Sequence, residues 1–465
     1  MQLWLRISML LCSFGFLREL RPSEPYVTEY LAGDWRNLTS EQIYQQVYPF
    51  GTYSVLALLV IVFLITDLLR YKPIIVLSSV AGIVLFVLLL WTRSLLELQL
   101  AQLFFGFFMA AEVAYYTYIY AKVDRARYQI VTGHTRAAIL GGKFLGGIVA
   151  QLLVSTDCMN FRQLHYISLA TQIISLPIAL LLPSVPRSVY FYAVKDSPAQ
   201  LENENAKMAA PKFSLRNACS LLWYHLVSSY TNPIVLMWSI WWALAICGQV
   251  QVISYIQFLW KELAPLHQSN YNGGVEAVAT LLGAIGAILA GMLNSNSRRS
   301  FYMLLNSVCA AILGVLMLLA ACCNSVWLAY VSYAIFCAIF FFIITVAAAV
   351  VAENLVDDSF GLVFGINTLV ALVLQSILTV VVLTDTGFGL PPKKQYIVYG
   401  SYFLVLSAVY LLLQLLLKIF CQKVPRRGDE KKYPLRISLN YFFFLIFPFF
   451  SGETSRNLTS FGDVK

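Results

Sequence analysis

The chain has 465 residues, of which 59% are hydrophobic and only 12% are charged, and its formal net charge is +9. This composition excludes an ordinary soluble protein, in which about 25% of residues are charged. The four histidines and nine cysteines form neither a metal-binding spacing nor a C-x-x-C pair. The sequence therefore predicts no metal site, no cofactor and no enzyme chemistry.

Apolar segments dominate the chain and predict an all-α membrane protein with about twelve transmembrane helices, each of roughly 20 residues. The segments centre near Ser13, Leu58, Ala81, Phe108, Gly147, Gln172, Ala245, Gly283, Gly314, Phe341, Val373 and Leu406. We interpret the first segment as a retained span, not a signal peptide. We expect its helix to continue through Pro22 and Pro25.

The basic residues concentrate in every second connection and in the tail, within 70–72, 122–127, 187–216, 298–299 and 423–436. Under the positive-inside rule this pattern predicts a multi-pass protein with both termini in the cytoplasm. The surplus of positive charge is then topological, so it does not indicate a nucleic-acid partner. Asn37 begins an N-x-T glycosylation acceptor on a predicted outer loop, whereas the matching triplet at Asn457 falls in the inner tail.

The longest polar interruption divides the predicted spans into two groups of six. We expect an N-terminal six-helix bundle at 1–184, a cytoplasmic linker at 185–231, a C-terminal six-helix bundle at 232–420 and a cytoplasmic tail at 421–465. In the linker, SLLWYHLVSSY predicts a short surface helix. The apolar tail stretch 438–452 is too short to span and indicates an interfacial patch. This organisation resembles the major facilitator superfamily, in which two repeats surround a midplane cavity.

The stretch ITDLLRYKP, residues 65–73, resembles a loop signature of that superfamily. It places Asp67, Arg70 and Lys72 at turn spacing between the second and third predicted spans. An acid facing cations at a helix end can form a charge latch that breaks when the halves move. The alternative is an ordinary charge cluster beside the membrane.

The stretch AAEVAYY, residues 110–116, places Glu112 inside an apolar run that extends roughly from 95 to 123. A carboxylate in the membrane is costly and indicates a functional site. Tyr115 and Tyr116 follow at i+3 and i+4, so they share one side of the helix with Glu112. An acid beside aromatic rings suits a flat organic cation. The alternative is a permanent ion pair between Glu112 and Arg136 or Lys143.

Other polar residues within the spans are candidates for the same cavity. Glu24 lies between two prolines in RPSEPY, where freed backbone groups are tolerated if they line a cavity. The alternatives are a kink residue for Glu24 and a helix–helix contact for Glu276. Gln375 in VLQ completes the set.

Several stretches in order along the chain are similar to the folate and thiamine carrier family: RPSEPY, NLTSEQIYQQVYP, ITDLLRYKP, AAEVAYYTYIYAKV, YNGGVEAVAT and LVFGINTLVALVLQ. The resemblance implies a plasma-membrane vitamin carrier that works by alternating access. Glu112, Cys337 and Gln375 stand at positions where the folate branch has basic residues, so the chain resembles the thiamine branch more closely. Thiamine contacts would then fall on Glu24, Tyr48, Glu112, Tyr115 and Asn272.

Two residues depart from the thiamine pattern. Gly51 stands at the position of a stacking tryptophan, and Lys143 stands at the position of a tyrosine. Lys143 could neutralise Glu112 or bind a phosphate group. The leading hypothesis is therefore a carrier of thiamine or a related organic cation. The alternatives are a carrier of folate, thiamine phosphate or another organic anion, and a membrane vitamin sensor that does not transport. Coupling to a proton or an organic ion stays open.

Overall fold

The computed structural model describes residues 3–33, 35–36, 38–122, 128–185, 215–264, 271–293, 299–355, 360–384 and 387–423. In these ranges the regular secondary structure is entirely helical. The first helices are α1 (Leu3–Glu19), a 3₁₀ turn (Glu24–Tyr26), α2 (Val27–Ala32), α3 (Ser40–Gln42), a π-helical turn (Ile43–Val47), α4 (Tyr48–Leu68), α5 (Lys72–Trp91), α6 (Leu95–Ala110), α7 (Glu112–Lys122), α8 (Tyr128–Ser155) and α9 (Phe161–Leu181). The remaining helices are α10 (Leu215–Tyr230), α11 (Pro233–Leu263), α12 (Asn272–Gly291), α13 (Arg299–Cys322), α14 (Val326–Glu353), α15 (Phe360–Leu383) and α16 (Pro392–Lys423).

Eleven helical stretches in the described ranges are long and apolar enough to cross a bilayer, and eleven of the predicted centres fall within them. The remaining centre, Ser13, lies in the shorter α1, which has 17 residues. The sequence predicted that the first helix continues through the prolines, and this prediction is wrong. The helix ends at Glu19 and resumes as α2. Proline lacks an N–H and disfavours helical backbone in the preceding residue, so two prolines three residues apart interrupt the ladder.

Local sequence explains where several spans begin. Ser94 accepts a hydrogen bond from the Glu97 N–H while the Glu97 carboxylate accepts one from the Ser94 N–H, a capping box that starts α6. Asn160 and Gln163 form the same arrangement at the start of α9. Pro233 begins α11, where its missing N–H costs no helical hydrogen bond.

The spans pack as two groups that meet along two seams. In the first group α1 packs on α8, α4 on α6 and α5 on α9. In the second group α13 packs on α16, α12 on α14 and α11 on α15. Between the groups, α8 packs on α12 and α4 packs on α15. Glu24 and Lys143 of the first group lie within electrostatic range of Glu276 of the second group.

The seam between α8 and α12 depends on glycine. A Cβ atom on Gly147 would lie 2.7 Å from the carbonyl oxygen of Gly273 and 3.0 Å from the Cβ of Ala277. The two helix backbones therefore approach more closely than any side chain at Gly147 would permit. Small residues at such crossings allow close van der Waals packing in a membrane.

The predicted surface helix in the linker is confirmed as α10. Trp223 and Tyr224 project from it and are 68% and 67% exposed. Four other predicted features lie outside the described residues or side chains: Asn37, linker residues 186–214, the tail from 424 with its apolar stretch, and the Asp67 side chain.

Replacing Gly147 by alanine is expected to destabilise the protein by about 1–3 kcal/mol, because the new methyl group overpacks the α8–α12 seam. The measurement is thermal unfolding of the purified protein in detergent. Gly133 in the same helix is the matched control, since a Cβ atom there would have no neighbour within 4 Å. Gly133→Ala should leave stability unchanged or raise it slightly. Equal effects of the two substitutions would contradict this account of the seam.

Candidate functional site

Two interrupted helices place charged residues deep in the first group of spans. The predicted fourth span divides at Ala111 into α6 and α7, and α1 ends at Glu19. Arg18 links the two breaks, since its Nη2 donates a hydrogen bond to the carbonyl oxygen of Phe108 at 2.7 Å. Carbonyl groups in the last turn of a helix lack helical partners, and a cation there is stabilised by the helix dipole. The Arg18 guanidinium also lies 4.3 Å from the centre of the Phe108 ring.

A cluster of ion pairs surrounds Glu19, a residue that the sequence analysis did not select. Its carboxylate lies 3.2 Å from Arg18 Nη1, 2.9 Å from Arg21 Nη2 and 3.5 Å from Lys143 Nζ. Arg21 Nη2 also pairs with Glu24 at 3.1 Å. The Glu19 side chain is only 5% exposed. Three cations, from α1, from the segment after it and from α8, thus compensate one buried carboxylate.

The outer members of this cluster remain accessible. The Glu24 side chain is 52% exposed and the Lys143 side chain is 45% exposed. Both interact electrostatically with buried charges, and Lys143 lies near the middle of the 28-residue α8. Charged groups at this depth are tolerated when they face a water-filled cavity. The accessible surface of Glu24 and Lys143 therefore lines the space between the two groups of spans.

Glu112 is the first residue of α7 and is partly exposed. Among the described residues it has no hydrogen-bond or ion-pair partner. Its charge acts at longer range on Arg21 and Lys143. The alternative that Glu112 is paired with Lys143 or Arg136 does not describe this conformation, because Lys143 pairs with Glu19. The Arg136 side chain is exposed and makes no ion pair with Glu112 in the described part of the chain.

The two tyrosines beside Glu112 occupy different environments. Tyr115 is 2% exposed, packs against Phe14 with ring centroids 5.6 Å apart, and donates a hydrogen bond to the Leu11 carbonyl at 2.8 Å. Tyr116 is partly exposed and lies within electrostatic range of Glu112. Both tyrosines lie within electrostatic range of Glu112, and Tyr116 is the more accessible of the two. The role predicted for Tyr115 stays a prediction.

The second group of spans contributes a facing acid. Glu276 on α12 accepts a hydrogen bond from the Tyr333 hydroxyl at 3.1 Å. It interacts electrostatically with Glu24 and Lys143, which places it opposite the Glu19 cluster. The hydrogen bond to Tyr333 is a helix–helix contact between α12 and α14, and the cavity role predicted for Glu276 stays a prediction. Gln375 on α15 is 2% exposed.

Asn272 joins the two groups at the end of the bundle where α2 meets α12. This buried amide donates a hydrogen bond from Nδ2 to Glu29 Oε1 at 2.8 Å and accepts one from the Tyr330 hydroxyl at 3.0 Å. The other carboxylate oxygen of Glu29 is buried and has no hydrogen-bond partner in the described part of the chain. Sequence reasoning selected Asn272 but missed Glu29.

A second set of contacts closes the same end. Gln257 on α11 donates from Nε2 to the Glu24 carbonyl at 3.0 Å and accepts from the Thr28 N–H at 3.3 Å. Tyr48 shares a hydrogen bond with the Thr28 hydroxyl at 3.1 Å. The Tyr48 ring lies 5.2 Å from that of Phe258. These contacts bring together Glu24, Tyr48 and Asn272, which are distant in sequence.

The space beside Gly51 is filled by the side chain of another residue. A Cβ atom on Gly51 would lie 2.5 Å from Gln102 Oε1. The amide of Gln102 therefore fills the place into which a larger side chain at Gly51 would project.

The predicted charge latch is described only in part. Lys72 Nζ donates a hydrogen bond to the carbonyl oxygen of Leu180 at 2.8 Å, at the C-terminal end of α9. Arg70 and Tyr71 have positive φ angles of 61° and 66°. Because the Asp67 side chain is outside the described part, the latch stays a prediction.

The residues that sequence reasoning missed are Arg18, Glu19, Arg21 and Glu29. All four lie within 18–29, beside prolines at the end of an apolar segment. Charged residues in such a position ordinarily indicate a loop. The available signal was the density of charge in RELRPSEP, which contains two arginines and two glutamates in eight residues.

Comparisons with known proteins agree with this architecture. A model of the reduced folate carrier family matches residues 2–398. The chain is 35% identical over 443 residues to thiamine transporter 1 of Homo sapiens, covering 88% of this chain and 89% of that protein. It is 37% identical over 424 residues to the reduced folate transporter of Homo sapiens, covering 88% of this chain and 72% of that protein. The two identities are too similar to decide between the vitamins.

The fold is similar to solved transporters of distant sequence. A POT family transporter in complex with 5-aminolevulinic acid matches with a TM-score of 0.63 at 14% identity, covering 88% of this chain and 96% of that chain. A D-xylose-proton symporter matches with a TM-score of 0.61 at 11% identity, covering 88% and 97%. The predicted all-α fold of the major facilitator superfamily is confirmed. The family match over most of the sequence shows that the chain belongs to the reduced folate carrier family and is a transporter, not an enzyme.

Proposed function

We propose that this chain carries thiamine or a related organic cation across the plasma membrane by alternating access. The observation that carries the proposal is the state of Glu112, an accessible carboxylate with no ion-pair partner among the described residues. The lysine that would have neutralised it is bound to Glu19 at 3.5 Å. An intramembrane acid without an internal counter-ion is best compensated by a positively charged ligand.

Aromatic and facing acidic groups support the same ligand chemistry. Tyr116 lies beside Glu112, and an aromatic ring attracts a cation through its quadrupole. Glu276 adds a second carboxylate from the opposite side of the space. A folate carries two negative charges and would meet these three groups, while Arg18, Arg21 and Lys143 are already paired with Glu19.

The contacts around Asn272 and Gln257 suit the alternating-access part of the proposal. They join α2 to α11 and α12 at one end, while Glu24 and Lys143 remain accessible deeper in the bundle. Rocking of the two groups would break these hydrogen bonds and open that end. Hydrogen bonds of this kind contribute about 1 kcal/mol each, so the contact is reversible.

The direct test is uptake of labelled thiamine by cells that express the protein, with competition by thiamine monophosphate, thiamine diphosphate, pyridoxine, folic acid and a reduced folate. We expect saturable uptake that unlabelled thiamine and other flat organic cations inhibit. Preferential inhibition by the folates would overturn the thiamine proposal. Counterflow completes the test, because a sensor would bind the vitamin without exchanging it across the membrane.

Replacing Glu112 by glutamine should lower kcat/KM for thiamine uptake by at least about tenfold, because the substitution removes the uncompensated charge but keeps the size of the side chain. Glu97→Gln is the matched control on the same span. Glutamine preserves the capping box at Ser94, and Glu97 lies at the helix start, away from the Glu19 cluster. Unchanged uptake by the Glu112 variant would refute the assignment of this residue.

The orientation proposed here places both termini in the cytoplasm and Asn37 outside. In cells that glycosylate membrane proteins, Asn37→Gln should abolish the mobility shift that glycosidase treatment produces. Asn457→Gln should leave the shift intact, because its triplet lies in the cytoplasmic tail. The reverse result would show that the topology is inverted.

A further inference from the structure

We propose that Glu19 determines whether the site prefers positive or negative ligands, because it holds three cations and leaves Glu112 for the substrate. This inference rests on the proposed function and extends it to a residue that does not itself need to touch the ligand. Glu19 is buried, and its carboxylate contacts Arg18, Arg21 and Lys143.

Glu19 is the acid that contacts all three cations in this part of the molecule. Arg18, Arg21 and Lys143 lie within ion-pair distance of its carboxylate, and Arg21 also pairs with Glu24. Glu112 and Glu276 act on Lys143 at longer range. Loss of the Glu19 charge would make this region more positive by one unit, which attracts anions and repels cations.

Lys143 is the most accessible of the three cations. Its side chain is 45% exposed, and the ammonium group sits on a flexible four-carbon stem. The acids that attract it are Glu19 first, then Glu24 and Glu112, while Arg21 repels it. Without the Glu19 charge, Glu24, Glu112 and Glu276 would remain to attract Lys143. The lysine would then compete with a cationic substrate for Glu112.

Arg18 and Arg21 do not have the same freedom. Arg18 is tied to the Phe108 carbonyl, and Arg21 pairs with Glu24 as well as Glu19. Their side chains are 3% and 4% exposed. The ligand preference therefore depends on the pair formed by Glu19 and Lys143, which neutralise each other across α1 and α8.

The experiment measures binding of thiamine and of thiamine monophosphate to purified wild-type protein and to three variants. The two ligands share the ring system and differ by a negatively charged phosphate. In Glu19→Gln, thiamine affinity should fall at least about tenfold and the monophosphate should become the tighter ligand. In Lys143→Gln, thiamine binding should become tighter while monophosphate binding weakens.

The double variant Glu19→Gln with Lys143→Gln separates electrostatics from structural damage. It removes one charge of each sign, so thiamine affinity should return to within about threefold of wild type. A merely structural role for Glu19 predicts no such recovery. Lys143→Gln keeps Glu19 paired with both arginines, so it tests the inference even if Glu19→Gln does not fold.

Two results would overturn the inference: a double variant that binds thiamine no better than Glu19→Gln, or a Lys143→Gln variant that loses thiamine binding and keeps the monophosphate. If wild-type protein does not bind thiamine, the proposed function fails. The charge inference is then judged by whether Glu19→Gln and Lys143→Gln shift the relative binding of cationic and anionic ligands in opposite directions.

Discussion

An ionised group inside a bilayer must find compensation within the protein, and this constraint organises the interior of the transporter. Arg18, Arg21 and Lys143 gather around the Glu19 carboxylate. Other acids of this region are held by neutral donors, as Glu276 is by the Tyr333 hydroxyl. Glu112 is the exception among the acids of this region in the described chain, since no such partner contacts it. The missing compensation is what a positively charged substrate would supply.

The same constraint explains why the helices are broken at these positions. Irregular backbone is tolerated at membrane depth only where other polar groups satisfy it or where it lines a cavity. The break at Ala111 places Glu112 at the start of a helix. On the other side of this break, Arg18 donates a hydrogen bond to the Phe108 carbonyl oxygen. The break after Glu19 lets that residue and Arg21 point toward one another. Backbone irregularity and intramembrane charge therefore occur together, as they do at the binding sites of other transporters.

Contacts between the two groups of spans differ in strength along the bundle. The α8–α12 seam is tight at Gly147, where backbones touch without side chains between them. Around Asn272 and Gln257 the groups are joined by a few hydrogen bonds. A carrier needs both kinds of contact, because rigid seams transmit movement and weak contacts allow it. The accessible charges of Glu24 and Lys143 lie beside this weaker layer.

The amino-acid sequence alone determined the membrane class, the order of the spans, the family and the candidacy of Glu112, because hydropathy and local motifs are properties of short segments. It also selected Glu24, Tyr48 and Asn272, which the structure brings to one end of the bundle. Tertiary structure decided which charges compensate one another. Glu19 and Lys143 are 124 positions apart. Only the packing of α1 on α8 shows that this lysine forms an ion pair with Glu19. No local pattern encodes such a pairing, because it depends on the rotation and depth of two helices that meet only in the folded protein.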